Sequence, residues 1–140
     1  MDRLIVERKL DSLQRCVARI VSKSPASVAA LEADVDLQDV LVLNLSRAVQ
    51  LCVDLGAHLL TDVPLPPPDT MGETFDRLAQ AGLLGPDLAL RMKKAVGFRN
   101  IAVHAYDVID WHVVHAIVTR HLDDFRQFAL AVIDCMGTPA

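Results

Sequence analysis

Between Leu37 and Leu59 the chain repeats apolar residues at helical spacing on more than one side. Leu37, Leu41, Asn44, Ala48, Leu51, Leu55 and Leu59 form the main stripe, because residues three and four apart share a helix face. Val40, Val42, Leu45, Val49 and Val53 add apolar surface around it. A helix that is apolar beyond a single stripe is buried on more than one side. This one therefore lies at the centre of a bundle, or between a bundle and a partner subunit. Its start is expected near Asp36, acting as the N-cap, and its end at about Leu60.

The flanking segments also read as helices. Val6, Leu10, Leu13, Val17 and Ile20 make one stripe over residues 2–23, which Ser24, Pro25 and Ser27 interrupt. Residues 64–68 read PLPPP, and each proline lacks an amide hydrogen and fixes φ, so they form a short stiff connector. Thr70 and Glu73 have capping-box spacing and open a short helix that ends at Gly82. Pro86 and Asp87 open the next helix. Asp110 caps the last, whose stripe is Val114, Val118, Leu122, Phe125, Ala129, Val132 and Met136. No segment alternates as a strand between hairpin turns. The expected fold is a single all-α domain over residues 1–140, an up-and-down bundle of four or five helices.

Composition narrows the function classes. At 140 residues the chain buries a core without metal or disulfide staples. Three cysteines, Cys16, Cys52 and Cys135, are odd in number and lack CxxC spacing, so they read as small buried hydrophobes in a reducing cytoplasm. There is no apolar run of about 20 residues free of charge, so no membrane span is expected. The first fifteen residues are charged throughout and hold no secretory core. The net charge of −4 argues against a wide nucleic-acid surface but leaves room for a local basic site.

Such a site is present in the sequence. From Leu88 to Tyr106 there is no acidic residue, while Arg91, Lys93, Lys94 and Arg99 all fall there. On charge alone this is a solvated helix face balanced by acids elsewhere. The segment GFRNIAVHAY adds Asn100, His104 and Tyr106. At about 100° per residue Asn100 and His104 share a face, and Arg99 lies roughly 140° away with a side chain long enough to reach round. Tyr106 diverges unless the helix ends or bends near His104. Chemically, a guanidinium offers phosphate a planar fork of donors, and an imidazole moves protons near neutral pH. Together they suit attack of a ribose 2′-hydroxyl on the adjacent phosphodiester, with no metal required.

The segment GFRNIAVHAY closely resembles the R-x4-H-x-Y motif of the HepT-like branch of the HEPN superfamily. VDLGAHLL at the end of the long helix and PPPDTMGETFDRLAQAGLL after it also resemble that family, and the likeness runs from residue 3 to about 133. The resemblance implies a HEPN-type bundle, homodimeric, acting as the toxin of a two-gene toxin–antitoxin system and as a metal-independent endoribonuclease. It implies that Arg99 and His104 are catalytic, that Asn100 supports them, and that Tyr106 receives AMP from an MntA-like nucleotidyltransferase, which silences the toxin. A dimer would place two motif histidines side by side, one as base and one as acid, and the long helix has apolar surface to spare for it.

Other polar residues have blander readings. Arg47, Gln50, Asp54 and His58 form a row on the long helix that reads as intrahelical or interface bonding. Asp39, Arg47 and Asp54 are also candidates for orienting Arg99 or His104 from behind. His112 and His115, with Asp110 or His58, lack the placed carboxylates of a metal site, and no metal or other cofactor is expected. Trp111 and Phe98 read as packing residues. Two rivals to the nuclease are a non-catalytic helical adaptor that binds a nucleotidyltransferase, and a subunit active only within such an enzyme.

Overall fold

The computed structural model describes residues 2–137. Its elements are all helical: α1 (Arg3–Ser22), α2 (Val28–Glu32), α3 (Val35–Leu60), α4 (Met71–Gln80), α5 (Pro86–His104), a 3-10 turn (Tyr106–Val108), α6 (Trp111–Ala116), a π-helical turn (Ile117–His121) and α7 (Asp123–Met136). The all-α expectation holds. The last two helices and the π turn form the single helix read from the sequence, widened by one turn of i→i+5 bonding.

Helix α3 is the central element and packs against α1, α2, α4, α5 and α7. It is long and apolar enough to cross a membrane by length and composition alone. Its Leu41, Leu45, Ala48, Val49, Cys52, Leu55 and Leu59 are instead buried in the bundle core. Of the two placements its sequence allows, the bundle centre is the one found, and the surface expected to serve a partner is mostly spent inside. Phe75 of α4 meets Phe128 of α7 edge to face across this core, with centroids 5.7 Å apart at 76°. Each buries a full aromatic side chain, worth about 1.5–3 kcal/mol.

Helix boundaries follow their caps, with two departures from the expected ones. Asp34, not Asp36, caps α3: its backbone is extended and its Oδ1 accepts from the Leu37 amide at 3.0 Å. Asp36 is already within the first turn, where its carboxylate lies near the helix's positive end. Helix α2 lies just past the Ser24–Ser27 interruption, in residues the sequence pattern assigns to no element; Ser27 caps it through a bond from the Ala30 amide, and Leu31 is fully buried. Thr70 caps α4 as expected, accepting from the Glu73 amide at 3.2 Å, but Glu73 reaches back to the Asp69 amide at 2.8 Å. Helix α4 closes in a Schellman turn, with Leu83 N bonded to Leu78 O and Gly82 N to Ala79 O. Gly82 takes φ +73° there, which a side chain would strain.

Candidate functional site at the end of helix α5

The apolar residues of α5 set which way its polar residues face. Ala89, Met92, Val96 and Ala102 are buried, which leaves Lys93, Lys94, Gly97, Asn100, Ile101 and His104 on the exposed side. Two of the cations are balanced from neighbouring helices. Arg91 Nε lies 2.9 Å from Asp124 of α7, and Lys93 Nζ lies 2.8 Å from Asp76 of α4. The bland reading of the basic segment therefore holds for these two. Lys94 and Arg99 have no carboxylate partner among the described residues.

Arg99 is half-buried and its guanidinium rests on neutral acceptors. Nη1 donates to the Met71 sulfur at 3.7 Å and to Asn100 Oδ1 at 3.4 Å. Both contacts involve one nitrogen, so the rest of the fork stays available to an anion. Asn100 thus braces Arg99 while sharing the exposed face with His104. His104 itself is exposed, and its side chain makes no hydrogen bond or ion pair among the described residues. No bond joins it to Arg99 among the described residues.

The helix ends where the sequence required it to. His104 is its last residue, and Ala105 leaves the helical region at φ −144°, ψ 51°. The 3-10 turn that follows folds Tyr106 back, and buried Ile109 anchors its far end. The Tyr106 hydroxyl donates to Asp39 Oδ1 of α3 at 2.7 Å. The ring sits edge-on to Trp111, with centroids 6.2 Å apart. Burial, the bond to Asp39 and the Asp39 charge together push the phenol pKa up from 10.0 to about 12. Tyr106 as a residue is nevertheless 42% exposed.

The remaining candidates lie elsewhere. Asp54 bonds Lys9 of α1 at 3.4 Å and Gln50 of its own helix at 3.0 Å. Arg47 lines a groove with Ser12, Arg15 and Cys16 of α1. Both belong to the α1–α3 seam, in keeping with the bland reading of that row. Asp110 caps α6 through the His112 amide at 2.9 Å, and among the described residues no three His, Cys, Asp or Glu side chains are grouped to hold a metal. Phe98 and Trp111 pack on the core, and the cysteines are free. Sequence reasoning missed Met71 beneath Arg99 and the direct bond between Asp39 and Tyr106. No local pattern announces either, since the partners are 28 and 67 residues apart.

Known proteins resemble this chain in sequence and fold. The family model for ribonuclease HepT-like proteins matches residues 9–132. The mRNA nuclease HepT of Shewanella oneidensis is 36% identical over 124 residues, covering 89% of this chain and 92% of that protein. Among solved structures, the tri-AMPylated Shewanella oneidensis HEPN toxin in complex with its MNT antitoxin superposes with a TM-score of 0.87 at 34% identity, over 96% of this chain and 99% of that one. A toxin–antitoxin complex with AMP-PNP gives a TM-score of 0.86 at 33% identity, over 94% and 99%. The cytosolic protein YutE of Bacillus subtilis, at 15% identity and a TM-score of 0.81, shares the fold. With the motif intact at the end of α5 and the match spanning the bundle, the chain belongs to the ribonuclease HepT-like family.

Proposed function

We propose that this chain is the endoribonuclease toxin of a cytoplasmic toxin–antitoxin pair, silenced when a cognate MntA-like nucleotidyltransferase transfers AMP to Tyr106. The observation that carries the reading is a guanidinium without a carboxylate partner among the described residues, five residues from an exposed imidazole, on a segment of an acidic chain that holds four cations and no acid. In the reaction, the RNA 2′-hydroxyl oxygen attacks the adjacent phosphorus, the bond to the 5′-oxygen breaks, and a cyclic phosphate and a 5′-hydroxyl result. Arg99 stabilises charge growing on the phosphoryl oxygens. His104 moves the protons, and no metal is needed. Taking one proton and giving another calls for two groups. A homodimer supplies both by setting two His104 side chains across a two-fold axis. Ile101 and Val103, both exposed beside the motif, provide apolar contact for that interface.

AMP on Tyr106 puts an anionic phosphodiester and a bulky nucleoside at the end of the motif helix, which opposes entry of an RNA phosphate. The test is cleavage of RNA in the presence of a chelator. The wild-type dimer cuts and leaves cyclic phosphate ends, and His104→Ala does not cut while still folding as a dimer. Undiminished cleavage by His104→Ala overturns the assignment. Intact mass after co-expression with the nucleotidyltransferase shows added AMP on the wild type and none on Tyr106→Phe.

A further inference from the structure

We propose that Asp39 is the base that takes the Tyr106 proton when that phenol is nucleotidylated, an inference that rests on the modification of Tyr106 proposed above. A neutral phenol is a weak nucleophile, and transfer to phosphorus requires its proton to leave as the new bond forms. Tyr106 makes this requirement stringent. Its phenol is held about two units above the ordinary value, so preformed phenolate is scarce near neutral pH.

The structure supplies the acceptor within the toxin chain itself. Asp39 Oδ1 lies 2.7 Å from the phenol oxygen, inside the reach of a general base. Asp39 makes no salt bridge among the described residues, so no cation competes for the carboxylate. The phenol has one hydrogen, directed at Asp39, and keeps its lone pairs for attack. The edge of Trp111 and the 3-10 turn fix the ring, and the residue stays exposed at the surface, where a second protein can approach it.

The step balances. The Tyr106 oxygen bonds to the α-phosphorus of ATP, the bond from that phosphorus to the bridging oxygen breaks, pyrophosphate leaves, and the proton passes to Asp39. The nucleotidyltransferase then needs to hold and polarise ATP, while the protein being modified brings its own base.

Asn at position 39 separates a base from a tether, because its amide oxygen still accepts the phenol's hydrogen bond but cannot take the proton. Wild type, Asp39→Asn and Asp39→Ala are each incubated with ATP, magnesium and the cognate nucleotidyltransferase, and AMP addition is followed by intact mass. Circular dichroism and gel filtration confirm that each variant folds and binds the transferase. Transfer to Asp39→Asn is expected to slow by about a hundred-fold or more, as is transfer to Asp39→Ala, with Asp39→Glu recovering part of the rate. Transfer to Asp39→Asn at the wild-type rate, or faster, overturns the inference, as does a loss of binding that accounts for the slower rate. Failure of the underlying reading looks different: the wild type gains no AMP, or Tyr106→Phe gains it.

Discussion

The Arg99 guanidinium rests on the thioether of Met71, with Nη1 3.7 Å from Sδ, and meets no carboxylate among the described residues. A thioether sulfur is a weak acceptor, so this contact places the fork without neutralising it. Arg91, on the same helix, is by contrast committed to Asp124. Arg99→Lys keeps the charge but replaces the planar fork with a single ammonium. RNA cleavage is expected to fall about 10²-fold or more, the usual loss when a transition-state donor is removed. Stability should stay within about 0.5 kcal/mol, as for other substitutions that break no buried interaction. Cleavage rates and thermal melts on the same samples check both halves, and wild-type cleavage by the variant would place Arg99 outside the chemistry.

Lys94 and Lys93 are adjacent on α5 but differ in what they meet. Lys93 holds Asp76 at 2.8 Å, whereas Lys94 has no acidic partner among the described residues. An unpaired lysine beside a phosphate track releases a counterion when RNA binds; each phosphate contact contributes about 0.7 to the logarithmic salt slope for a single strand. Lys94→Ala is expected to weaken RNA binding and flatten that slope by about this amount per site. Lys93→Ala, which also frees an acid, should flatten it less. Binding isotherms at several salt concentrations give the two slopes, and equal slopes for both variants would contradict the distinction.

Tyr106 is the single tyrosine of the chain, so its ionisation can be followed directly by ultraviolet absorbance. Its pKa is raised from 10.0 to about 12 by burial, by its bond to Asp39 and by the Asp39 charge. Because the folded value lies above the unfolded one, the stability this contact contributes is fully present below pH 10. It is lost as pH rises from there through about 12. Asp39→Asn removes the charge, and the phenolate midpoint should move down toward 10. A midpoint unchanged in that variant would mean that burial alone sets it.

The end of α5 was legible because the chemistry demanded it. Tyr106 shares a mouth with the motif only if the helix stops near His104, and it stops there. The caps were legible where side-chain type and spacing agree, as at Thr70 and Asp110. At the start of α3 both Asp34 and Asp36 have the chemistry of a cap. Only backbone conformation decides between them, and it selects Asp34. The short α2 was missed because five residues carry too little periodicity to register. The π turn was missed because its apolar residues still fit an α-helical stripe. The bonds from Asp39 to Tyr106 and from Lys9 to Asp54 depend on how helices far apart in the chain pack together. Residue spacing does not record that.

Two glycines on helices separate packing from propensity. A Cβ added at Gly56 of α3 would stand 2.7 Å from Thr74 Cγ2 and 3.1 Å from Leu78 Cδ1. Thr74 and Leu78 are both buried, and a β-branched threonine has few alternative rotamers. Helices α3 and α4 would have to move apart. Gly56→Ala is therefore expected to cost about 1–3 kcal/mol, the range for overpacking. Gly97 of α5 is exposed, and a Cβ there meets nothing within 4 Å. Glycine inside a helix is about 0.5–1 kcal/mol worse than alanine, so Gly97→Ala should stabilise the isolated chain by that amount. Denaturant unfolding of both variants gives the two signs. Gly97 lies on the exposed side of α5, between Lys93 and Ile101, where the proposed two-fold partner would approach. If Gly97→Ala destabilises instead, and does so more strongly as protein concentration rises, the backbone of a second protomer lies against Gly97. The interface would then run along α5 itself, with the two motifs flanking the crossing point.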